Sequence, residues 1–118
     1  MTLADEKCMA CRRDSLLVAD REIAELHSQV SDWQLTKKNG VKRLERTFRF
    51  RGFDSGLAFA MQVGEAAEAE GHHPRITVAW GEVAVQWWTH TIRGLHRNDF
   101  VMAAKTDQLY GRASPEDA

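Results

Sequence analysis

Two adjacent histidines, His72 and His73, stand in front of Pro74 in the stretch EGHHPRITVAW, in a chain with five histidines in all. A third, His90, ends a later alternating apolar stretch, and an acid, Asp99, opens the last helical pattern. Imidazoles have unperturbed pKa values near about 6.5, so a group of them exchanges protons at neutral pH with little thermodynamic cost in either direction. That is the composition of a general acid/base site. The residue before a proline is pushed into extended conformations, and successive extended residues point opposite ways, so the rings of His72 and His73 should diverge. One can meet a ligand's face while the other holds its edge or packs against Trp33 or Trp80.

Each of these residues also has an ordinary reading. A two-histidine loop is by default a solvated turn. Asp99, three residues after His96, can cap backbone N–H groups and interact favourably with a helix dipole. Glu68, one turn before His72, is by default a surface helix residue. Tryptophans are more often core than ligand platform, although Trp88 shares a face with His90 and could stack on a flat heterocycle.

The elements that must position these side chains follow from periodicity. The segment DREIAELHSQV sets Ile23, Leu26, His27 and Val30 at helical spacing, with Asp20 as N-cap. WQLTKK and VKRLERTFRF flank Asn39-Gly40, the dipeptide best suited to a two-residue hairpin turn. In the second of these strands Leu44, Phe48 and Phe50 alternate with polar residues, and Arg46 alone breaks the apolar side. Asp54 can cap a helix in which Phe53, Leu57, Met61 and Gly64 fall on one stripe, while Ala60, Gly64 and Ala67 allow close approach to a sheet and Gly71 ends it. RITVAW and EVAVQWWTH form a second hairpin, with Ile76, Val78 and Trp80 facing one way and Val83, Val85 and Trp87 likewise. His90 closes its second strand. A last helix, HRNDFVMAAKTDQLYG, carries Phe100, Ala103, Ala104, Asp107 and Leu109 along one side.

Two hairpins separated by a helix cannot make an all-parallel sheet, so the order αββαββα predicts an α+β two-layer sandwich: a four-stranded antiparallel sheet with three helices on one face. The start of one hairpin strand lies beside the end of its partner, which brings His72 or His73 and His90 to one rim.

A chain of 118 residues is one domain by length. The boundaries expected are a loosely ordered segment 1–19, a folded domain 20–111 and a frayed tail 112–118. With 43% hydrophobic and 28% charged residues and a formal net charge of -1, no binder of polyanions or acidic membranes is indicated, so neither nucleic acid nor membrane is an expected partner. The apolar runs are far short of the roughly 20 residues that span a bilayer, and the acids near the N-terminus do not suit a signal peptide, so a cytoplasmic location is expected. Cys8 and Cys11 form a C-x-x-C pair, but they precede any strand, unlike a thioredoxin-like motif, and no second pair completes a zinc site, although a histidine or a second chain could contribute ligands; the default reading is an ordinary N-terminal segment.

Taken together, Glu68, three residues, His72-His73-Pro74, five residues, Trp80, nine residues, His90, eight residues and Asp99 resembles the signature of the pterin-4a-carbinolamine dehydratases, and the likeness runs from about Trp33 to Tyr110 through THTIRGLHRND. CMAC resembles the N-terminus of bacterial members. Gly71 departs from the acid that some members carry before the histidines, and His96 from the hydroxyl residue that often caps the last helix. The resemblance implies a four-stranded antiparallel sheet with three helices on one side. It also implies dehydration of 4a-hydroxytetrahydropterin to quinonoid dihydropterin, the tetrahydrobiopterin recycling step after an aromatic amino acid hydroxylase such as phenylalanine hydroxylase, with no cofactor and no metal. By position His72, His73 and His90 are the catalytic histidines, with acid and base unassigned among them. Asp99 and Glu68 support them, and Trp33, Gly71, Trp88, Thr89 and Thr91 line the pterin site. Relatives assemble as dimers or tetramers, so a homo-oligomer is expected.

Two other classes fit the same residues. A non-enzymatic binding or assembly module on this fold would be expected to lose signature histidines, and all three are present. A zinc hydrolase could use three histidines and a carboxylate, but adjacent histidines pointing apart seldom ligate one ion.

Overall fold

A computed structural model describes residues 2–8 and 19–112, in which Asn39 and Gly40 both take positive φ, 53° and 79°. That is the left-handed pair a tight two-residue hairpin requires. The turn joins β1 (Gln34–Lys38) to β2 (Val41–Arg49), with Lys38 opposite Val41 and Gln34 opposite Glu45. Trp80 and Gly81 join β3 (Arg75–Ala79) to β4 (Glu82–Trp87), with Ala79 opposite Glu82 and Arg75 opposite Gln86. The two hairpins meet along β2 and β4, and the sheet order is β1-β2-β4-β3, antiparallel throughout. Three helices complete the α+β sandwich: α1 (Asp20–His27), α2 (Phe53–Glu70) and α3 (Arg97–Gly111).

Period-2 alternation decides which side of the sheet the helices cover. Leu44, Phe48, Val83, Val85 and Trp87 are buried beneath Phe59, Val63 and Ala67 of α2 and Phe100, Val101, Met102 and Ala103 of α3. Burying an apolar side chain of this size contributes roughly 1.5–3 kcal/mol, so this layer dominates stability. Arg46, the charged residue on the apolar side of β2, reaches Asp107 of α3 at 2.7 Å, and the same carboxylate oxygen accepts the indole N–H of Trp33 at 2.8 Å. Burial nevertheless pushes the Asp107 carboxyl above its ordinary value, against the opposing pull of Trp33 and Arg46.

Several elements differ from the sequence expectations. Helix α1 begins at Asp20 itself, behind Ala19, and α2 begins at Phe53 behind Gly52, so Asp20 and Asp54 stand in the first turn, near the positive end of the dipole, rather than at the caps. The stripe of Phe53, Leu57 and Met61 is exposed, and α2 turns Gly56, Phe59, Ala60, Val63 and Ala67 inward instead. The close approach to the sheet comes at Gly56, where a Cβ would lie 3.3 Å from Val83, while Gly64 borders open space. Trp80 is 74% exposed because it lies in the β3–β4 turn, outside the alternation of the strand. The fourth strand ends at Trp87, and His90 opens a 3-10 turn, His90–Ile92, closed by the Thr89–Gly94 bridge.

Residues 2–8, part of the segment expected to be loosely ordered, pack against α3. A 3-10 turn, Leu3–Asp5, buries Leu3 and Ala4, Glu6 accepts two hydrogen bonds from Arg97, and the Cys8 backbone N–H donates to Glu70 at 2.7 Å. Cys11 and the tail 113–118 lie outside the described residues.

Candidate active site

Gly71 ends α2 with φ at 64°, a left-handed cap that turns the chain sharply toward the sheet, and the His72 N–H then donates to the Ala67 carbonyl at 3.1 Å. The turn drives the His72 ring into the protein. It is 7% exposed, lies parallel to the Trp87 indole with centroids 5.8 Å apart, and its Nε2 is 2.6 Å from Oδ1 of Asp99. The His73 side chain, by contrast, is 60% exposed and its Nε2 is 3.2 Å from Glu68. The divergence expected ahead of Pro74 is what the chain adopts.

Asp99 is wholly buried and its lone pairs are spoken for: Oδ2 accepts from the Thr89 hydroxyl at 2.8 Å and from the His96 backbone N–H at 2.9 Å. A buried carboxylate is tolerable when several donors replace its water. One side chain therefore closes the N-terminus of α3, ties down the end of the fourth strand through Thr89 and holds His72. A carboxylate oxygen accepts, so the His72 Nε2–H donates to Asp99, which holds the ring in place and leaves Nδ1 as its other polar atom. His96 takes the hydroxyl residue's place at the cap: its Nδ1 accepts the Asn98 N–H at 3.0 Å. Burial holds its pKa below the ordinary histidine value, with Asp99 pulling the other way and His72 adding to the depression.

His90 is exposed at the same end of the sheet, but on the other side. Trp87 faces the helices, so Trp88 faces away from them, and the His90 ring lies against Trp88 with centroids 4.4 Å apart and planes inclined by 31°. Trp88 also carries the Arg43 guanidinium 3.9 Å from its ring centroid. Continuing the β3–β4 register outward from Arg75 and Gln86 sets His73 across from Trp88 and His72 across from Thr89, so all three histidines share one end of the second hairpin. Of the other positions expected to line the site, Thr91 and Gly71 are exposed there, whereas Thr89 is buried on Asp99. Trp33 is elsewhere: it is 1% exposed in the core, edge-on to Phe48 and bonded to Asp107. Among the described residues no three His, Cys, Asp or Glu side chains are grouped so as to hold a metal ion.

Trp87, Thr106 and Arg43 are the neighbours that period-2 reading did not single out. Trp87 is fixed by an indole N–H bond to Thr106 at 3.2 Å, and Thr106 donates to the Met102 carbonyl at 2.6 Å, so the surface under His72 is rigidly bonded to α3. Apolar alternation marks Trp87 only as core, because stacking on a histidine from another element depends on the docking of α2.

The sequence model of the Pterin 4 alpha carbinolamine dehydratase family matches residues 17–109, which include all of these side chains. The chain belongs to the pterin-4a-carbinolamine dehydratase family. Among its relatives in that family, a Gloeobacter violaceus protein assigned by name to the pterin-4-alpha-carbinolamine dehydratases is 56% identical over 109 residues, covering 92% of this chain and 94% of its own. One from Syntrophotalea carbinolica, similarly named, is 56% identical over 107 residues, covering 91% and 96%. The crystal structure of a transcriptional coactivator/pterin dehydratase from Brucella melitensis superimposes with a TM-score of 0.73 at 29% identity, over 81% of this chain and 100% of that one. The four-stranded antiparallel sheet with three helices is thus the dehydratase family's architecture.

Proposed function

We propose that the protein dehydrates a 4a-hydroxytetrahydropterin to the quinonoid dihydropterin, using His72, His73 and His90. The C4a–O bond breaks with its hydroxyl protonated by an imidazolium, so that water leaves. The N5 proton passes to a neutral imidazole, and the N5 electron pair forms the C4a=N5 double bond. Each such proton transfer, by a positioned group, is typically worth about 10² to 10⁴ in rate. The observation that carries this reading is the pairing of a buried, carboxylate-held histidine with two exposed ones at a single end of the sheet. Exposure of His73 and His90 supports their exchanging protons with the substrate, while His72 on Asp99 forms the fixed wall beside them. Glu68 holds the His73 ring from the end of α2.

The reaction belongs to tetrahydropterin recycling, after hydroxylation of an aromatic amino acid such as phenylalanine, and is placed in the cytoplasm. Among the described residues no helix is long and apolar enough to cross a membrane. Assembly as a homo-oligomer is supported by the exposed apolar stripe Phe53, Leu57 and Met61 and by the two open edges, β1 and β3.

The test is a dehydratase assay on chemically generated carbinolamine. Wild-type protein should accelerate loss of the carbinolamine well above the uncatalysed rate, and His73→Ala and His90→Ala should each lower turnover at least about tenfold with the fold intact. No rate above background for the wild type would sink the reading, and native rates in both variants would move the site elsewhere.

A further inference from the structure

His72 and His90 reach the same end of the sheet from opposite sides, and the Asp99 network holds only the first of them. What holds His90 is a separate column of side chains on the sheet face turned away from the helices. Glu45 of β2 accepts from the Gln86 amide of β4, directly opposite in the register. A carboxylate can only accept, so the Gln86 NH₂ is committed to Glu45 and its carbonyl oxygen is left to accept from Nη1 of Arg43 at 3.2 Å. Arg43 in turn lays its guanidinium on Trp88, 3.9 Å from the ring centroid, and Trp88 packs on His90 at 4.4 Å. Continuing the β2–β4 register one step beyond Leu44 and Trp87 puts Arg43 across from Trp88, so the strand pairing itself supplies the alignment.

Arg43 is unusual for a charged residue on an open sheet face. It is 9% exposed, and its Nε is buried with no hydrogen-bond partner among the described residues. A side chain there only to solvate the surface would keep its donors in water. Its buried, flat head makes sense as a support: a planar cation stacks on an indole in a way a flexible ammonium does not, and leaves Trp88 little freedom to rotate.

The geometry points to Arg43 as a positioning residue for the dehydratase reaction, which holds His90 in its working orientation by clamping Trp88 against the sheet. It touches His90 only through Trp88, and its Nε is too buried to meet a substrate. This rests on the dehydratase reading above for its effect on rate, though not for its effect on the His90 ring.

Two readouts keep the two ideas separable. The first is the position of the His90 ring-proton resonances in the NMR spectrum, which the Trp88 ring current displaces and which needs no substrate. The second is steady-state dehydratase kinetics. Arg43→Met, which keeps the stem and removes the planar head, should move the His90 resonances toward free-imidazole positions. It should also lower kcat about tenfold with KM changed less than about twofold, because a small misplacement of a catalytic group costs rate rather than binding. Arg43→Lys should recover less than half of the loss, since charge without a flat face does not clamp the indole. Gln86→Leu, which leaves Arg43 in place but removes its anchor, should show a smaller shift of the same kind and serves if Arg43→Met fails to fold. Unmoved His90 resonances in the folded variants, or an Arg43→Lys protein with wild-type kcat, would overturn the proposal. If the wild type itself shows no dehydratase activity, the functional reading falls, and the resonances still decide whether Arg43 places His90.

Discussion

Asp99 does three jobs with one carboxylate, and that concentration makes it the most sensitive single residue at the site. Its two oxygens accept from the His72 ring, the Thr89 hydroxyl and the His96 N–H, with no exposure to water. Asp99→Asn puts an NH₂ group among donors, so at least one buried donor loses its acceptor, and the expected loss is about 2–3 kcal/mol. Urea unfolding of the variant checks this, and a change below about 0.5 kcal/mol would mean that the carboxylate is not the keystone of the network. Its turnover should fall as well, because His72 loses the carboxylate that holds its ring. The residue types were readable in advance: His72, His73, His90, Glu68 and Asp99 stand out by chemistry and spacing. Trp33 shows the limit of that reading, since an indole that suits a pocket equally suits a core, and here the core position beside Phe48 and Asp107 holds it.

At the scale of the element, helix α3 is capped by His96, whose ring can accept only while it is neutral. His96 accepts the Asn98 N–H through Nδ1, and burial holds its pKa below the ordinary value. Between its folded and unfolded pKa values the unfolded chain binds the proton and the folded one does not, so stability rises with pH across that window. The cap's contribution is complete above about pH 6.5, the unperturbed histidine value, and is lost as the pH falls through it toward the depressed folded pKa. The midpoint of thermal unfolding should therefore drop between about pH 7 and pH 5. In His96→Ser the hydroxyl keeps the cap without titrating, so the histidine's share of that drop should vanish. Equal slopes in both proteins would show that other groups dominate. Helix α2 illustrates how an element can be foreseen while its orientation is not. It carries one apolar stripe through Phe53, Leu57 and Met61 and another through Phe59, Val63 and Ala67, and periodicity alone does not rank them. Gly56 ranks them, because its missing Cβ lets the second stripe approach Val83.

Across the whole molecule, the stripe left outside by that choice is the feature of α2 a protomer does not use. Phe53, Leu57 and Met61 are 46%, 45% and 61% exposed along one helix face. If they bury one another between copies, Met61→Glu should shift the protein toward monomer in sedimentation velocity without changing its far-UV circular dichroism, because an exposed position tolerates charge in the isolated chain. An unchanged oligomeric state would place any subunit contact elsewhere. By itself the sequence determined the element order, the Asn39-Gly40 hairpin and the α+β sandwich, and it singled out His72, His73 and His90 as the acid/base candidates, because turn chemistry, period and side-chain type are local properties. Tertiary structure decided the rest: that β2 and β4 become central neighbours, that His72 and His90 arrive on opposite sides of one sheet end, and that each gains its own support, Asp99 for one and the Arg43–Trp88 stack for the other. Those facts depend on which residues meet across long stretches of chain, and register and helix docking settle that only when the whole core closes at once.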